Sequence, residues 1–110
     1  MARTDGRHEA GGQLHLRVAE EVFRAGQQVQ RVLRQTKNAQ RTAAESFDRS
    51  ADSHDRAARS YEQLAQRGER HDDVYLEHAA RHREFAREDR QIAQRLRQLA
   101  ETPIRSHASA

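Results

Sequence analysis

The 110-residue chain contains no cysteine and no tryptophan, and it has a single proline, Pro103, and only five glycines. Without cysteine, a disulfide framework, a thiolate metal site and a cysteine nucleophile are excluded. No run of apolar residues approaches the roughly 20 that a membrane-spanning helix needs. The charged amino terminus is followed by no apolar segment of the kind that secretory signals contain. We therefore expect no membrane association and a cytoplasmic location.

Large apolar side chains are also scarce, because Leu, Ile, Val and Phe together number 17 while Ala alone numbers 18. A share this low favours disorder where the net charge is also high. The net charge here is only +3, so charge repulsion does not favour an unfolded chain. We predict one domain with a thin core. Such a core barely offsets the chain entropy that a monomer loses on folding, and association would bury more apolar surface.

The stretch from Ala44 to Ala100 repeats every seven residues. Alanine occupies two such rows: Ala44, Ala51, Ala58 and Ala65, then Ala79, Ala86, Ala93 and Ala100. Two more rows accompany them: Phe47, His54, Tyr61, Tyr75, His82 and Leu96, and Ala57, Leu64, His78, Phe85, Ile92 and Leu99. This repeat is typical of helices that pack along their lengths. It predicts an all-α fold, an elongated antiparallel helical hairpin or three-helix bundle with a coiled-coil-like alanine seam.

We expect the larger side chains to carry the packing of this seam: Val22, Val29, Phe47, Tyr61, Phe85, Ile92 and Leu99. The predicted segments are a disordered tail at 1–12, helix A at 13–37, helix B at 38–66, a turn at 67–73, helix C at 74–101 and a C-terminal tail at 102–110. Gly68 is a natural helix C-cap, Asp72 or Asp73 can cap the next helix, and Pro103 cannot continue helix C.

Two features of this organisation have alternatives. At the junction from residue 34 to 40, Asn38 and the capping-box pattern from Thr42 to Glu45 favour a turn and three helices. The apolar period continues through the junction, which favours one continuous or kinked helix. The alanine spacing from Ala65 to Ala79 is two repeats of seven. That spacing also fits an uninterrupted helix, although we favour a hairpin.

Helix A has two contrasting faces. Val18, Val22, Ala25, Val29 and Val32 follow a helical spacing of four and three residues. A row of arginines lies on the opposite side: Arg17, Arg24 and Arg31, seven residues apart, with Arg34 near the end. Such a row is a candidate surface for nucleic acid or another polyanion. No aromatic residues alternate with these arginines to stack on bases, so the row is equally typical of a solvated face.

Histidine is abundant, with seven residues. His71, His78 and His82 can share one helix face, and imidazoles four residues apart can bind one divalent metal. No acidic residue completes a known metal motif, since Ala79 follows His78 where zinc proteases carry Glu. We therefore expect packing histidines and no metal or other cofactor. Protonation of histidines in the seam would weaken the packing below about pH 6.

Catalytic motifs are missing. The pair Gly11-Gly12 precedes no phosphate-binding motif. The run from Asp52 to Asp55 contains Ser53 and His54, but neighbours on a helix diverge by about 100° and cannot form a triad. We expect a protein that is not an enzyme.

The runs His54-Asp-Arg-Ala-Ala and Glu-His78-Ala-Ala-Arg-His82-Arg resemble short Ala/Arg/His-rich helical proteins of mycobacteria and related actinobacteria. The resemblance covers residues 42 to 100 and implies no activity, cofactor or partner. The residues themselves predict helix-mediated association, either with further copies of the chain or with a helical partner. Nucleic-acid binding through the arginine row is the alternative function.

Overall fold

A computed structural model describes the backbone of residues 2–68 and 70–103, and the side chains of residues 11–68 and 70–103. It contains two helices, α1 (Ala2–Gln66) and α2 (Asp72–Glu101), and no strand within the described residues. The prediction of an all-α fold is therefore confirmed. The chain divides into two compact units, Met1–Gln35 and Thr36–Ala110.

Helix α1 has no break between residues 34 and 40, so the three-helix bundle is not supported. This segment contains no proline or glycine that would end a helix, since the only proline of the chain is Pro103. Gly26, earlier in α1, costs about 1 kcal/mol relative to alanine without ending the helix. Asn38, which we considered a turn former, accepts a hydrogen bond from Arg41 Nη1 at 3.1 Å. The predicted tail at 1–12 also differs, because α1 already begins at Ala2. Met1 and residues 104–110 of the predicted C-terminal tail lie outside the described residues.

The turn after α1 forms at Gly68, as predicted. Gly68 has φ 68°, a left-handed conformation that glycine adopts without steric cost. Its amide donates a hydrogen bond to the Ala65 carbonyl at 3.3 Å. The predicted cap of the next helix, Asp72 or Asp73, was wrong by one or two residues. The N-cap is His71, with φ 81°, and it makes no side-chain capping bond; Asp72 and Asp73 lie in the first turn, where their charge suits the helix dipole.

Helices α1 and α2 pack as a hairpin, and its buried residues are all alanines within the part of the chain that the structure describes. Each is 0–3% exposed: Ala44, Ala51 and Ala58 of α1, and Ala79, Ala86, Ala93 and Ala100 of α2. These are the predicted heptad rows, except that Ala65, next to the turn, is only half-buried. A side chain as short as alanine allows two helix backbones to approach closely. The core of the hairpin is therefore a narrow line of methyl groups.

Larger side chains flank this alanine line. The six members of the predicted seven-residue row that begins at Phe47 are half-buried: Phe47, His54, Tyr61, Tyr75, His82 and Leu96. Tyr61 stacks on the rings of His78, at 5.0 Å between centroids, and of His82, at 5.7 Å. These rings cover the alanine line near the turn of the hairpin.

The far end of the hairpin is closed by Lys37, the only lysine of the chain. Its Nζ donates hydrogen bonds to the carbonyl oxygens of Ala100, at 2.9 Å, and Thr102, at 2.6 Å. The last carbonyls of a helix lack partners within the helix, and the C-terminal end of its dipole attracts cations. Lys37 of α1 therefore caps α2.

Candidate association surfaces

The amino-terminal part of α1 carries large apolar side chains that remain exposed. We call five of these residues the N-terminal apolar face, and each is between 51% and 67% exposed: Leu14, Val18, Val22, Val29 and Val32. Leu16 and Phe23 are exposed as well, but they point away from this face, since successive residues turn by about 100° around a helix. They extend over 19 residues of one helix, or about 27 Å. Single exposed apolar residues are ordinary, but a contiguous group of this length is typical of an interaction surface.

The other side of the same segment is polar. Its four arginines, which we predicted as candidate anion-binding residues, are all exposed: Arg17, Arg24, Arg31 and Arg34. Within the described residues none of them takes part in an ion pair. The segment thus exposes a row of valines on one side, and cations together with Leu16 and Phe23 on the other.

One edge of the hairpin carries a ladder of ion pairs between the helices. Its carboxylates lie on α1 and its arginines on α2, each set seven residues apart: Asp48, Asp55 and Glu62, and Arg83, Arg90 and Arg97. Each step of seven residues forward along α1 is matched by a step of seven back along α2. This matching shows that the helices are antiparallel in a single register.

The centre of the ladder is Arg90. Its Nη2 donates to Asp55 Oδ2 at 2.6 Å and to Asp52 Oδ1 at 3.1 Å, while Arg83 Nη1 lies 3.8 Å from Asp55 Oδ1. The hydrogen bond from Arg90 is the largest influence on Asp55 and lowers the pKa of that carboxyl. The same bond raises the pKa of the Arg90 guanidinium. This edge is therefore occupied by charges that already satisfy one another.

Sequence reasoning missed the ladder. The seven-residue spacing of Asp48, Asp55 and Glu62 was visible in the sequence, but no pairing with the other helix was predicted from it. The signal that could have revealed the ladder is the matching spacing of Arg83, Arg90 and Arg97, next to the alanine row of the other helix.

Four of the seven histidines lie inside the hairpin contact or at its turn: His54, His71, His78 and His82. His54 Nδ1 and His82 Nδ1 are 2.9 Å apart, so one of these two nitrogens donates a hydrogen to the other. His78 stacks on Tyr61, and His71 is the N-cap of α2. Within the described residues, no group of three or more His, Cys, Asp or Glu side chains is placed to hold a metal ion. The structure therefore does not bring His71, His78 and His82 together with other ligands into one such group.

Asp89 is a second residue that sequence reasoning missed. It lies at the heptad position between His82 and Leu96 and is half-buried. Its Oδ2 lies 3.9 Å from His54 Nε2 and, among the described residues, accepts no hydrogen bond. The signal in the sequence was a change of residue type, since Asp89 is an acid in a heptad row whose other members are aromatic, histidine or leucine.

The seven residues predicted to carry the packing occupy three environments. Phe47 and Tyr61 are half-buried in the hairpin, whereas Phe85, Ile92 and Leu99 on α2 are 42%, 37% and 56% exposed. Val22 and Val29, at 67% and 55% exposed, belong to the N-terminal apolar face. The structure thus brings the alanines together and leaves most of the large apolar side chains in contact with water.

Comparisons with known proteins identify no relative, since no family model, no curated protein and no solved structure matches the chain. Among the described residues, neither helix contains a stretch apolar and long enough to cross a membrane.

Proposed function

We propose that this protein acts without catalysis, by helix-mediated association, and that the N-terminal apolar face is the surface that binds another helix. The observation that carries the proposal is the exposure of all five large apolar side chains of that face. Water contact of so many apolar side chains on one helix side is unfavourable, and a partner that covers them removes the cost.

The energetic scale supports association. Full burial of a Val, Leu or Phe side chain contributes about 1.5–3 kcal/mol relative to exposure. Association costs an estimated 4–15 kcal/mol in lost freedom of motion. Several side chains must therefore be covered together, and the N-terminal apolar face provides five within one helical segment.

The spacing of the face indicates a helix as the partner. Val18, Val22, Ala25, Val29 and Val32 alternate steps of four and three residues, which is the seam of two helices packed lengthwise. β-branched valines have few rotamers in a helix, so they lose little further freedom when they are covered. A helix laid along this seam would contact successive turns.

The proposal is tested by photocrosslinking in cells that produce the full chain. A photoreactive amino acid placed at Val22 should form a covalent adduct with a protein, whereas the same group at Arg24, on the polar side, should not. The Val29→Gln substitution, one heptad away from the probe, should abolish the adduct. Absence of a protein adduct at Val22, or equal adducts at both positions, would contradict the proposal.

The nucleic-acid alternative is supported by the exposed arginines Arg17, Arg24, Arg31 and Arg34. It predicts retention on DNA that falls steeply with salt and disappears when the four arginines are replaced by glutamine. No retention at low salt would remove this alternative.

A further inference from the structure

We infer that two copies of this chain exchange α2: the turn straightens, α1 and α2 join into one continuous helix, and α2 of each copy packs on α1 of the other. The surface involved is the hairpin contact, and its occupant is the helix that the structure already shows there, supplied by a second chain. The inference does not involve the N-terminal apolar face, so it stands or falls independently of the proposed function.

The rows of the hairpin keep their seven-residue phase across the turn. Ala65 and Ala79 are two repeats apart, and so are Tyr61 and Tyr75. A hairpin does not require this phase, since a turn can join two helices in any rotation. A continuous helix does require it, because residues seven apart then share one face. In such a helix the alanines from residue 44 to residue 100 form a single row.

The charged edge has the pattern of two identical helices packed antiparallel. In a continuous helix the ladder residues share one heptad position, acidic in the first half and basic in the second: Asp48, Asp55, Glu62, Arg83, Arg90 and Arg97. An antiparallel pair places the acidic half of each copy beside the basic half of the other. Every ion pair of the ladder then forms twice, between chains instead of within one. Complementary charges of this kind select the direction of a helix pair.

The exchange preserves the contacts of the hairpin, because level residues of α1 and α2 stay level when α2 comes from another chain. These contacts include the buried alanine line, the stack of Tyr61 on His78, the hydrogen bond between His54 and His82, and the cap formed by Lys37. Exchange of an identical element is a low-cost route to a dimer for this reason. The turn and the protein concentration decide between the two forms.

The turn can become helical. Within the described residues, only Gly68 and His71 have a left-handed φ, of 68° and 81°. A residue with a Cβ atom adopts this conformation at a steric cost, which straightening relieves at His71. The sequence between Gln66 and Asp72 contains no proline, and its single glycine resembles Gly26, which lies inside α1. No residue of the turn therefore excludes a helix.

Gly68 marks the level of the twofold axis on the aromatic side of the pair. Tyr61 and Tyr75 lie seven residues before and after it, and their rings are 6.2 Å apart. The exchanged dimer therefore brings Gly68 of the two copies to the same level. With no side chain at this point, the two helices can approach each other closely.

Asp72 marks the same axis in the alanine row. It lies midway between Ala65 and Ala79, and the paired Glu62 and Arg83 lie ten residues before it and eleven after it. The exchanged dimer brings the two copies of Asp72 close together, where their like charges repel each other. Asp72 therefore favours the hairpin over the dimer.

The first measurement is the mass of the full chain by light scattering, after refolding from urea at several concentrations. We expect a monomer of 12.7 kDa at low concentration and twice this mass at high concentration. Gly68→Ala should lower the dissociation constant by more than about a hundredfold, because alanine disfavours the left-handed turn and favours the helix in both copies. Gly26→Ala, inside α1 in both forms, is the matched control and should change nothing. A monomer at every concentration for Gly68→Ala would overturn the inference.

The level of the axis is tested by Asp72→Ala, which completes the alanine row. This variant should lower the dissociation constant by about tenfold. Asp73→Ala is the matched control, since it removes a charge from the same first turn of α2 at a position outside the row. Equal effects of the two variants would overturn the register of the exchanged pair.

Crosslinking shows whether the contacts lie between chains. Arg90→Lys keeps a cation beside Asp55 and lets a carbodiimide join the two side chains as an amide. Isotope-labelled and unlabelled chains of this variant are refolded together in equal amounts at high concentration. Exchange should give about half of the crosslinked peptides one partner of each isotope. A hairpin joins only peptides of the same isotope.

These outcomes separate the inference from the proposed function. A dimer whose crosslinked peptides are never isotopically mixed would overturn the exchange, and its loss in Val22→Gln with Val29→Gln would assign it to the N-terminal apolar face. A dimer with mixed peptides that persists in this double variant would support the exchange, whether or not a protein adduct forms at Val22.

Discussion

Two parts of helix α1 carry apolar rows at helical spacing, but one row is buried and the other is exposed to water. In the hairpin, Ala44, Ala51 and Ala58 are completely buried beneath α2. In the N-terminal segment, Val22 and Val29 are larger and more apolar, yet 67% and 55% exposed. Burial therefore does not follow the size of the apolar side chain. It follows the presence of a second helix opposite the row, and alanine permits the closest approach of that helix.

The hairpin also pairs its charges, whereas the N-terminal segment does not. Arg83, Arg90 and Arg97 of α2 reach carboxylates of α1. The arginines of the N-terminal segment have no such partner among the described residues. Pairs of exposed side chains add little to stability. Their regular spacing nevertheless excludes other registers of the hairpin, since a shift of one heptad would leave charges at the ends unmatched.

The largest change in the stability of the hairpin is expected when a buried alanine is replaced by a larger residue. Ala51→Leu should destabilise the hairpin by about 1–3 kcal/mol, because a branched side chain does not fit between closely packed backbones. Ala25→Leu, at an exposed position of the N-terminal segment, is the matched control and should leave the hairpin as stable as before. Urea unfolding followed by tyrosine fluorescence measures this, since Tyr61 and Tyr75, the only tyrosines, both lie in the hairpin.

Equal destabilisation by Ala51→Leu and Ala25→Leu would contradict the distinction between the two parts of α1. A stable Ala51→Leu variant would show that the helices of the hairpin are not closely packed at this level.

A smaller effect is expected at the boundary between the two parts, where Lys37 caps α2. Lys37→Met keeps a long apolar side chain but removes the donor to the carbonyls of Ala100 and Thr102. The hairpin should lose about 1 kcal/mol. Arg34→Met, one turn earlier and exposed, removes a charge without a capping role and should change nothing in the same tyrosine-monitored unfolding. Similar losses in both variants would indicate a general charge effect instead of a cap.

The smallest effect concerns pH. The hydrogen bond from Arg90 lowers the pKa of Asp55 in the folded chain. A carboxyl with a lowered folded pKa stabilises the fold above its unfolded pKa of about 3.9, and this contribution is lost as pH falls through the folded value. Arg90→Gln should therefore have a lower free energy of unfolding than the wild type at pH 7, and this difference should disappear in acid.

The matched control for this pH experiment is Arg49→Gln. Arg49 donates to Ser46 on its own helix and has no ion pair with a described residue. Its gap to the wild type should not vary with pH below 5. A gap for Arg90→Gln that stayed constant from pH 7 to pH 2 would show that Asp55 does not depend on this bond.

Much of the fold was predictable because it depends on local spacing. The seven-residue alanine rows predicted the seam, Gly68 predicted the turn, and Pro103 predicted the end of α2; all three are present. The continuity of α1 at residues 34–40 remained open, since Asn38 and the pattern from Thr42 to Glu45 are local signals that a continuous helix overrides.

The candidate surfaces were only partly predictable. The valine spacing and the arginine row were visible in the sequence, and the structure leaves both exposed. The ladder centred on Arg90, the acid Asp89 beside His54 and the cap formed by Lys37 were not predicted. Each of these joins residues more than 20 positions apart, and their pairing depends on the exact register between two helices.

The sequence by itself therefore determined that this chain is helical, where its long helices turn and stop, and which residues share a face, because 3.6 residues per turn converts spacing directly into direction. Only the tertiary structure decided which faces are covered. Residues far apart in sequence meet only when the two helices are aligned in one lengthwise register. The close approach of the alanines, together with the pairing of Asp48, Asp55 and Glu62 with arginines of α2, sets that register. The same structure left the valines of residues 18–32 exposed.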